Sequence, residues 1–211
     1  MLSLHAILLG GIVGYLCGSI PSAYLITRWK TGRDLRREGS RNIGARNAFE
    51  VTGDKTIGTL VLAADLLKAV IPVHVFEYHH WTAALLVLIP SLVLGHCYPI
   101  SLRFHGGRGL ATAAGAMLLL NPIAILLWLF IYLLTNKLTR QVHFSSVIAC
   151  GAALLAVMAL PKNFLSAITL SFSGLDGMIP TLRISLGVMV LIILSRHVEP
   201  MWALLRGKDS T

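Results

Sequence analysis

The stretch Arg103–Thr112, RFHGGRGLAT, divides two apolar runs, Trp81–Leu102 and Leu110–Thr135, each long enough to cross a membrane. Three glycines (Gly106, Gly107, Gly109) fall within four residues, around one cation, Arg108. Glycine permits backbone shapes and close approaches that a Cβ would block. Successive N–H groups in such a turn can form a concave anion site, to which an arginine adds a planar fork of donors. A basic loop on the cytoplasmic face of a membrane protein has the same composition, so the turn alone leaves both readings open.

Working outward, the chain of 211 residues is 55% hydrophobic and 13% charged, against roughly a quarter charged in a soluble domain. Its mean hydropathy is +0.75. The apolar runs are continuous rather than alternating, which excludes a barrel and implies helix packed on helix. Besides the two runs above, Leu4–Trp29, Thr56–Phe76, Phe144–Leu160 and Ile179–Ser195 are apolar. Pro21 and Pro122 are expected to kink the first and fourth spans. The first run lacks a basic segment before it and reads as a first transmembrane helix, not a cleaved signal. Cys17, Cys97 and Cys150 are far apart and read as buried small hydrophobes.

The net charge is +9, and eight of the eighteen Lys and Arg residues lie between Arg28 and Lys55, beside the first span. Such a cluster fixes topology and meets anionic headgroups or phosphorylated substrates, so nucleic acid is not an expected partner. The Arg28–Lys55 loop is then cytoplasmic and the amino terminus outside. Arg206 and Lys208 in the tail also favour the cytoplasm, which needs an odd number of crossings. Six long runs give an even number, so Asn163–Gly174 is expected to cross as a short helix. The expected fold is an all-α integral membrane bundle of seven transmembrane helices, one domain over residues 1–211, with the carboxyl terminus cytoplasmic.

This topology gathers three polar clusters on one face: Gly39–Asn47, Arg103–Thr112 and Arg196–Glu199. Ser40, Asn42 and Asn47 offer neutral donors and acceptors, Arg41, Arg46 and Arg108 positive charge, and His197 a proton carrier near neutrality. Cations and backbone N–H groups suit phosphate. Asp65 and Lys68, three apart inside the second span, share a helix face and can pair. GRGLAT lacks the GK[ST] ending of a P-loop, and neither a metal-ligand set nor a G-x-S-x-G elbow is present, so no metal or cofactor is expected.

Gly95–Thr112, GHCYPISLRFHGGRGLAT, closely resembles the second motif of the acyl-phosphate-dependent bacterial glycerol-3-phosphate acyltransferases. Gly39–Asn47, GSRNIGARN, resembles their first motif, GSGN-x-GATN, and Arg196–Gly207 more weakly their third. Gly18–Pro21 and the pair Asp65 and Lys68 sit where that family has them. The resemblance implies acyl transfer from acyl phosphate to glycerol 3-phosphate at the cytoplasmic face of the bacterial inner membrane, giving lysophosphatidate. It implies catalytic roles for Ser40, Arg108 and His197. Substrate-binding roles fall to Gly39, Asn42, Arg46, Asn47, Gly106, Gly107, Gly109 and Ser146. Expected partners are acyl phosphate, glycerol 3-phosphate, membrane lipid and the enzyme that supplies acyl phosphate.

The chain departs from that pattern at functional positions. Arg41 replaces a glycine, Arg46 a threonine, Glu50 an arginine, Arg108 a lysine, His143 a serine and Pro200 an asparagine. A diverged relative with another acceptor or no activity, and a small transporter of phosphorylated solutes, are the alternatives these residues leave open.

Overall fold

A computed structural model of the chain describes residues 3–169 and 176–206. Helix α1 (Leu4–Gly18) begins at Ser3, whose hydroxyl accepts from the Ala6 N–H at 3.2 Å. Helix α2 (Ser22–Thr31) starts after Pro21 and is closed by Gly32 at φ 72°. The first span is therefore two helices parted at residues 19–21, not one kinked helix. Helix α3 (Ala45–Thr52) lies in the long polar stretch. Helix α4 (Lys55–Tyr78) is capped by Asp54, which accepts from the Thr56 N–H at 2.7 Å. Helix α5 (Thr82–Cys97) runs through Pro90 and leads into a 3-10 turn, Ile100–Leu102. Then follow α6 (Leu110–Leu120), α7 (Pro122–Thr139), α8 (Val142–Ala159), α9 (Lys162–Ile168), α10 (Ile179–Ser195) and α11 (Val198–Leu205). No strand occurs among the described residues. By length and composition five spans could cross a membrane, α1 with α2 counting as one, or six if α10 and α11, bent by 48°, form another.

Two spans differ from the sequence expectation. Leu110–Thr135 is not one helix kinked at Pro122. Asn121 caps α7 by accepting from the Ala124 N–H at 2.9 Å, and Pro122 occupies the first turn. Asn followed by Pro is a start signal, and it ends α6 rather than bending it. Helix α6 lies on α4 so closely that a Cβ on Gly115 would come 2.4 Å from the Leu66 carbonyl oxygen. Helix α7 runs along α8 and buries none of its own residues, the mark of a lipid-facing helix. His143, in the first turn of α8, lines the same pocket as Arg108, which precedes α6. Residues 110–139 thus leave that end of the bundle and return to it as a hairpin.

The second difference is Asn163–Gly174. The His143 and His197 rings meet with centroids 5.6 Å apart, joining the start of α8 to the end of α10. At the opposite end Arg183, near the start of α10, donates to the Leu160 carbonyl just after α8. The described ends of the connection between these helices, Leu160 and Arg183, stand together at that far end. The first residues of Asn163–Gly174 belong to α9, seven residues long, and 170–174 lie outside the described residues.

What holds the bundle's centre is the contact of α1 with α5. Gly10, Gly14 and Gly18 recur every four residues and face α5. A Cβ would stand 2.1 Å from the Ala84 carbonyl oxygen at Gly10 and 2.1 Å from that of Leu92 at Gly18. Small residues at this spacing let helix backbones touch inside a membrane, where dispersion rather than water exclusion drives packing. Gly11 faces away, with Val87 4.0 Å from its Cβ position. Gly18→Val is expected to lower the thermal midpoint in detergent, an overpacking cost of about 1–3 kcal/mol or more. Gly11→Ala is expected to stay within about 0.5 kcal/mol of the parent. Equal effects at both positions would contradict this packing.

Candidate active site

The break at residues 19–21 leaves the Ile20 carbonyl with the Ser22 N–H at 3.0 Å and room for a second donor. Lys68 supplies it: Nζ donates to the Ile20 oxygen at 3.1 Å, to Asp65 Oδ1 at 2.8 Å and to His96 Nδ1 at 2.7 Å. Ser22, the first residue of α2, donates its hydroxyl to the same Asp65 oxygen at 2.8 Å. With all three ammonium protons used, His96 Nδ1 is an acceptor and its proton sits on Nε2. Asp65, Lys68 and His96 are buried.

His96 lies directly beneath the glycine turn. The Gly107 N–H donates to the His96 carbonyl at 3.0 Å and the Gly106 N–H to that of Cys97 at 3.1 Å. A Cβ on Gly107 would stand 2.1 Å from His96 Nε2, and one on Gly106 2.1 Å from the His96 oxygen. From the other side Arg196, stacked 5.3 Å from the Tyr98 ring centroid, donates to the Gly107 and Gly106 carbonyls at 3.2 and 3.1 Å. The anion cradle expected from these two N–H groups is therefore not formed by them, because both already serve the backbone. The free N–H groups here belong to the first turn of α6, which Gly109 opens at φ 84°.

Arg108 stands at that helix start, half-buried. Burial, then Arg46 and Arg196, push its pKa down to about 10, which leaves it charged at neutral pH. It shares a pocket with Ser40, Arg46, Asn47, Glu50 and His143. Asn47 shapes this wall: Oδ1 accepts from the Ser40 N–H at 2.9 Å, while Nδ2 donates to the carbonyls of Asn42 at 3.0 Å and Glu38 at 3.3 Å. Gly39 takes φ 58° against it, where a Cβ would come 2.3 Å from Asn47 Oδ1. Arg46 and Glu50 form an exposed i,i+4 ion pair at 2.6 Å. His197 is buried and donates from Nδ1 to the Ile193 carbonyl at 2.9 Å. Its Nε2 has no partner among the described residues. Burial, with help from Arg108 and Arg196 and against the Ile193 hydrogen bond, holds the ring's pKa below its ordinary value, so Nε2 is a lone-pair acceptor.

Behind the pocket an apolar cavity of about 470 Å³ opens between α4, α6, α7, α8 and α10. Leu110, two residues after Arg108, and Ile193, whose carbonyl holds His197, line it together with Met117, Trp128 and Leu154. A cationic pocket therefore adjoins a greasy one.

The family model described as glycerol-3-phosphate acyltransferase matches residues 8–207. The chain belongs to this family. A glycerol-3-phosphate acyltransferase of Syntrophotalea carbinolica is 32% identical over 201 residues, covering 94% of each chain. One from Myxococcus xanthus is 37% identical over 171 residues, 80% of this chain and 85% of that one. Crystal structures of PlsY, an integral membrane glycerol 3-phosphate acyltransferase, superpose on the chain. Its glycerol 3-phosphate form gives a TM-score of 0.78 at 30% identity, covering 97% of this chain and 94% of that one. Its lysophosphatidic acid form gives 0.77 at 29%, covering 97% and 93%.

In this acyltransferase-family chain, Ser40, Arg46, Asn47 and Arg108 come together in one pocket, with His197 against its His143 wall. Asn42 lies to the side, its amide beside Gly44, and Ser146 is buried one turn beyond His143 with its hydroxyl donating to the Val142 carbonyl at 2.8 Å. Sequence reasoning did not place Arg196, His96 or His143 among the site residues. His96 was visible as part of the motif that carried the resemblance, but nothing in the sequence says that a histidine eleven residues upstream lies beneath Gly107. Removing one partner of the buried network leaves an uncompensated charge, typically worth about 3–5 kcal/mol. Lys68→Met is expected to lower the thermal midpoint accordingly, and Lys68→Met with Asp65→Leu to recover part of it. Thermal unfolding in detergent reads both, and no loss in the single variant would contradict the network.

Proposed function

We propose that the chain transfers a fatty acyl group from acyl phosphate to glycerol 3-phosphate, forming 1-acyl-glycerol 3-phosphate, as a multi-pass protein of the bacterial inner membrane with its site facing the cytoplasm. The observation that carries the reading is the closeness along the chain of the Arg108 cluster to the apolar cavity, which Leu110 and Ile193 line two residues from Arg108 and four from His197. Both substrates have phosphate heads, and the donor also has a hydrocarbon tail. Arg108, Arg46 and the first turn of α6 supply positive potential for the heads, and the cavity accepts the tail. Ser40 and Gly39 shape the pocket wall that Asn47 builds.

In the reaction the glycerol 3-phosphate hydroxyl oxygen attacks the acyl carbonyl carbon. The bond from that carbon to the phosphate oxygen breaks, and phosphate leaves. The hydroxyl proton passes to His197 Nε2 or to the departing phosphate. Acyl phosphate is a mixed anhydride with a good leaving group, so no enzyme nucleophile is needed. Arg108 and the α6 N–H groups stabilise the developing charge.

Seven crossings follow from α1–α2, α4, α5, the two legs of the α6–α7 hairpin, α8 and α10, with the amino terminus opposite the site. A solute-transport reading gains nothing from the site, whose neighbouring cavity is lined by apolar side chains rather than a polar path.

Purified protein in vesicles, given palmitoyl phosphate and labelled glycerol 3-phosphate, is expected to form labelled lysophosphatidate. Arg108→Ala is expected to cut the rate about 10²–10³-fold. Product no higher than in the Arg108→Ala control would overturn the reading.

A further inference from the structure

One feature of the pocket is unexplained by its own hydrogen bonds. His143 is 3% exposed, and its Nδ1 has no partner among the described residues. An orphaned ring nitrogen at that depth costs free energy unless something completes it. The ring faces Arg108 at the start of α6, Arg46 and Glu50 on α3, and His197 after α10. His197 presents a second unpartnered nitrogen, Nε2, from a ring edge-on to His143. The two orphans are not equivalent. The Ile193 carbonyl can only accept, so it fixes the His197 proton on Nδ1 and leaves Nε2 as an acceptor. No described contact fixes the tautomer of His143, and its cationic neighbours Arg108 and Arg46 mark the place where an anion will sit.

We propose that His143 is a substrate-contacting residue whose Nδ1–H donates to a phosphoryl oxygen, while His197 Nε2 beside it accepts the attacking hydroxyl. This rests on the acyl-transfer reading for its choice of ligand and adds to it a contact specific to this chain, which carries an imidazole where the family pattern has serine. The division of labour follows from donor and acceptor chemistry: a phosphate oxygen needs a donor, and a hydroxyl proton needs an acceptor. The ring centroids stand 5.6 Å apart, so both rings belong to the neighbourhood of one small ligand. The phosphoryl oxygen belongs either to glycerol 3-phosphate or to acyl phosphate, and the two sources are separable by experiment.

The test uses shape. The side-chain amide nitrogen of asparagine overlays histidine Nδ1, whereas that of glutamine overlays Nε2. Thermal stabilisation of the detergent-purified full chain is measured with glycerol 3-phosphate and, separately, with a non-transferable palmitoyl phosphonate. His143→Ala and His143→Gln are expected to lose at least tenfold in affinity for one of these ligands, and His143→Asn to keep it within about threefold, a donor to a charged group being worth about 1.5–3 kcal/mol. Loss confined to glycerol 3-phosphate assigns the contact to the acceptor, and loss confined to the phosphonate assigns it to the donor. The proposal is overturned if all three variants keep parental affinity for both ligands, if Asn fares no better than Gln, or if the parent protein is stabilised by neither ligand. Because stabilisation is read without turnover, a parent that binds glycerol 3-phosphate through His143 but makes no lysophosphatidate would sink the acyl-transfer reading and leave this contact standing.

Discussion

Three protons on one ammonium group tie this site to its scaffold. Lys68 Nζ reaches the Ile20 carbonyl where the first span breaks, the carboxylate one turn back on its own helix, and the ring of His96 at the end of α5. Each contact satisfies a group that a bundle in lipid could not leave alone. Together they bring α1–α2, α4 and α5 to one point, directly under the glycine turn. The turn's close packing on His96 then explains why Gly106 and Gly107 carry no side chain. Arg196 closes the turn from above through its carbonyls. The turn is thus a rigid base for Arg108 rather than an open nest of N–H groups.

A division of labour follows among the cations. Arg196 is spent on the backbone, and Arg46 is partnered by Glu50 at the pocket's edge. Arg108 is the half-buried cation at the start of a helix, with the apolar cavity beginning two residues later. Charge and grease meet there because α6 starts where the turn ends.

The helical class and most helix positions could be read from the length of apolar runs, since lipid leaves the backbone so few choices. Helix connections could not, because hydropathy counts apolar residues and is blind to direction. Asn121–Pro122 shows the point: the pair carries the signature of a helix start, yet inside an apolar run it reads as a kink. At the site, Ser40, Arg46, Asn47 and Arg108 were legible because glycine and cation patterns are local. His143 and His96 were not, since their importance lies in what faces them across helices far apart in sequence. Gly106 and Gly107 were legible as special positions, but packing rather than an exposed N–H pair is the reason.

The central claim is that a single site holds the phosphate at Arg108 and the acyl chain in the cavity between α6, α7 and α8. A palmitoyl phosphonate with a photoreactive group near the end of its chain tests this most directly, with the cross-linked residues located by mass spectrometry. The account predicts labelling of cavity residues such as Met117, Trp128 and Leu154, lost in Arg108→Ala. Labelling spread over the lipid-facing residues of α1, or labelling of the cavity that Arg108→Ala leaves unchanged, would contradict it.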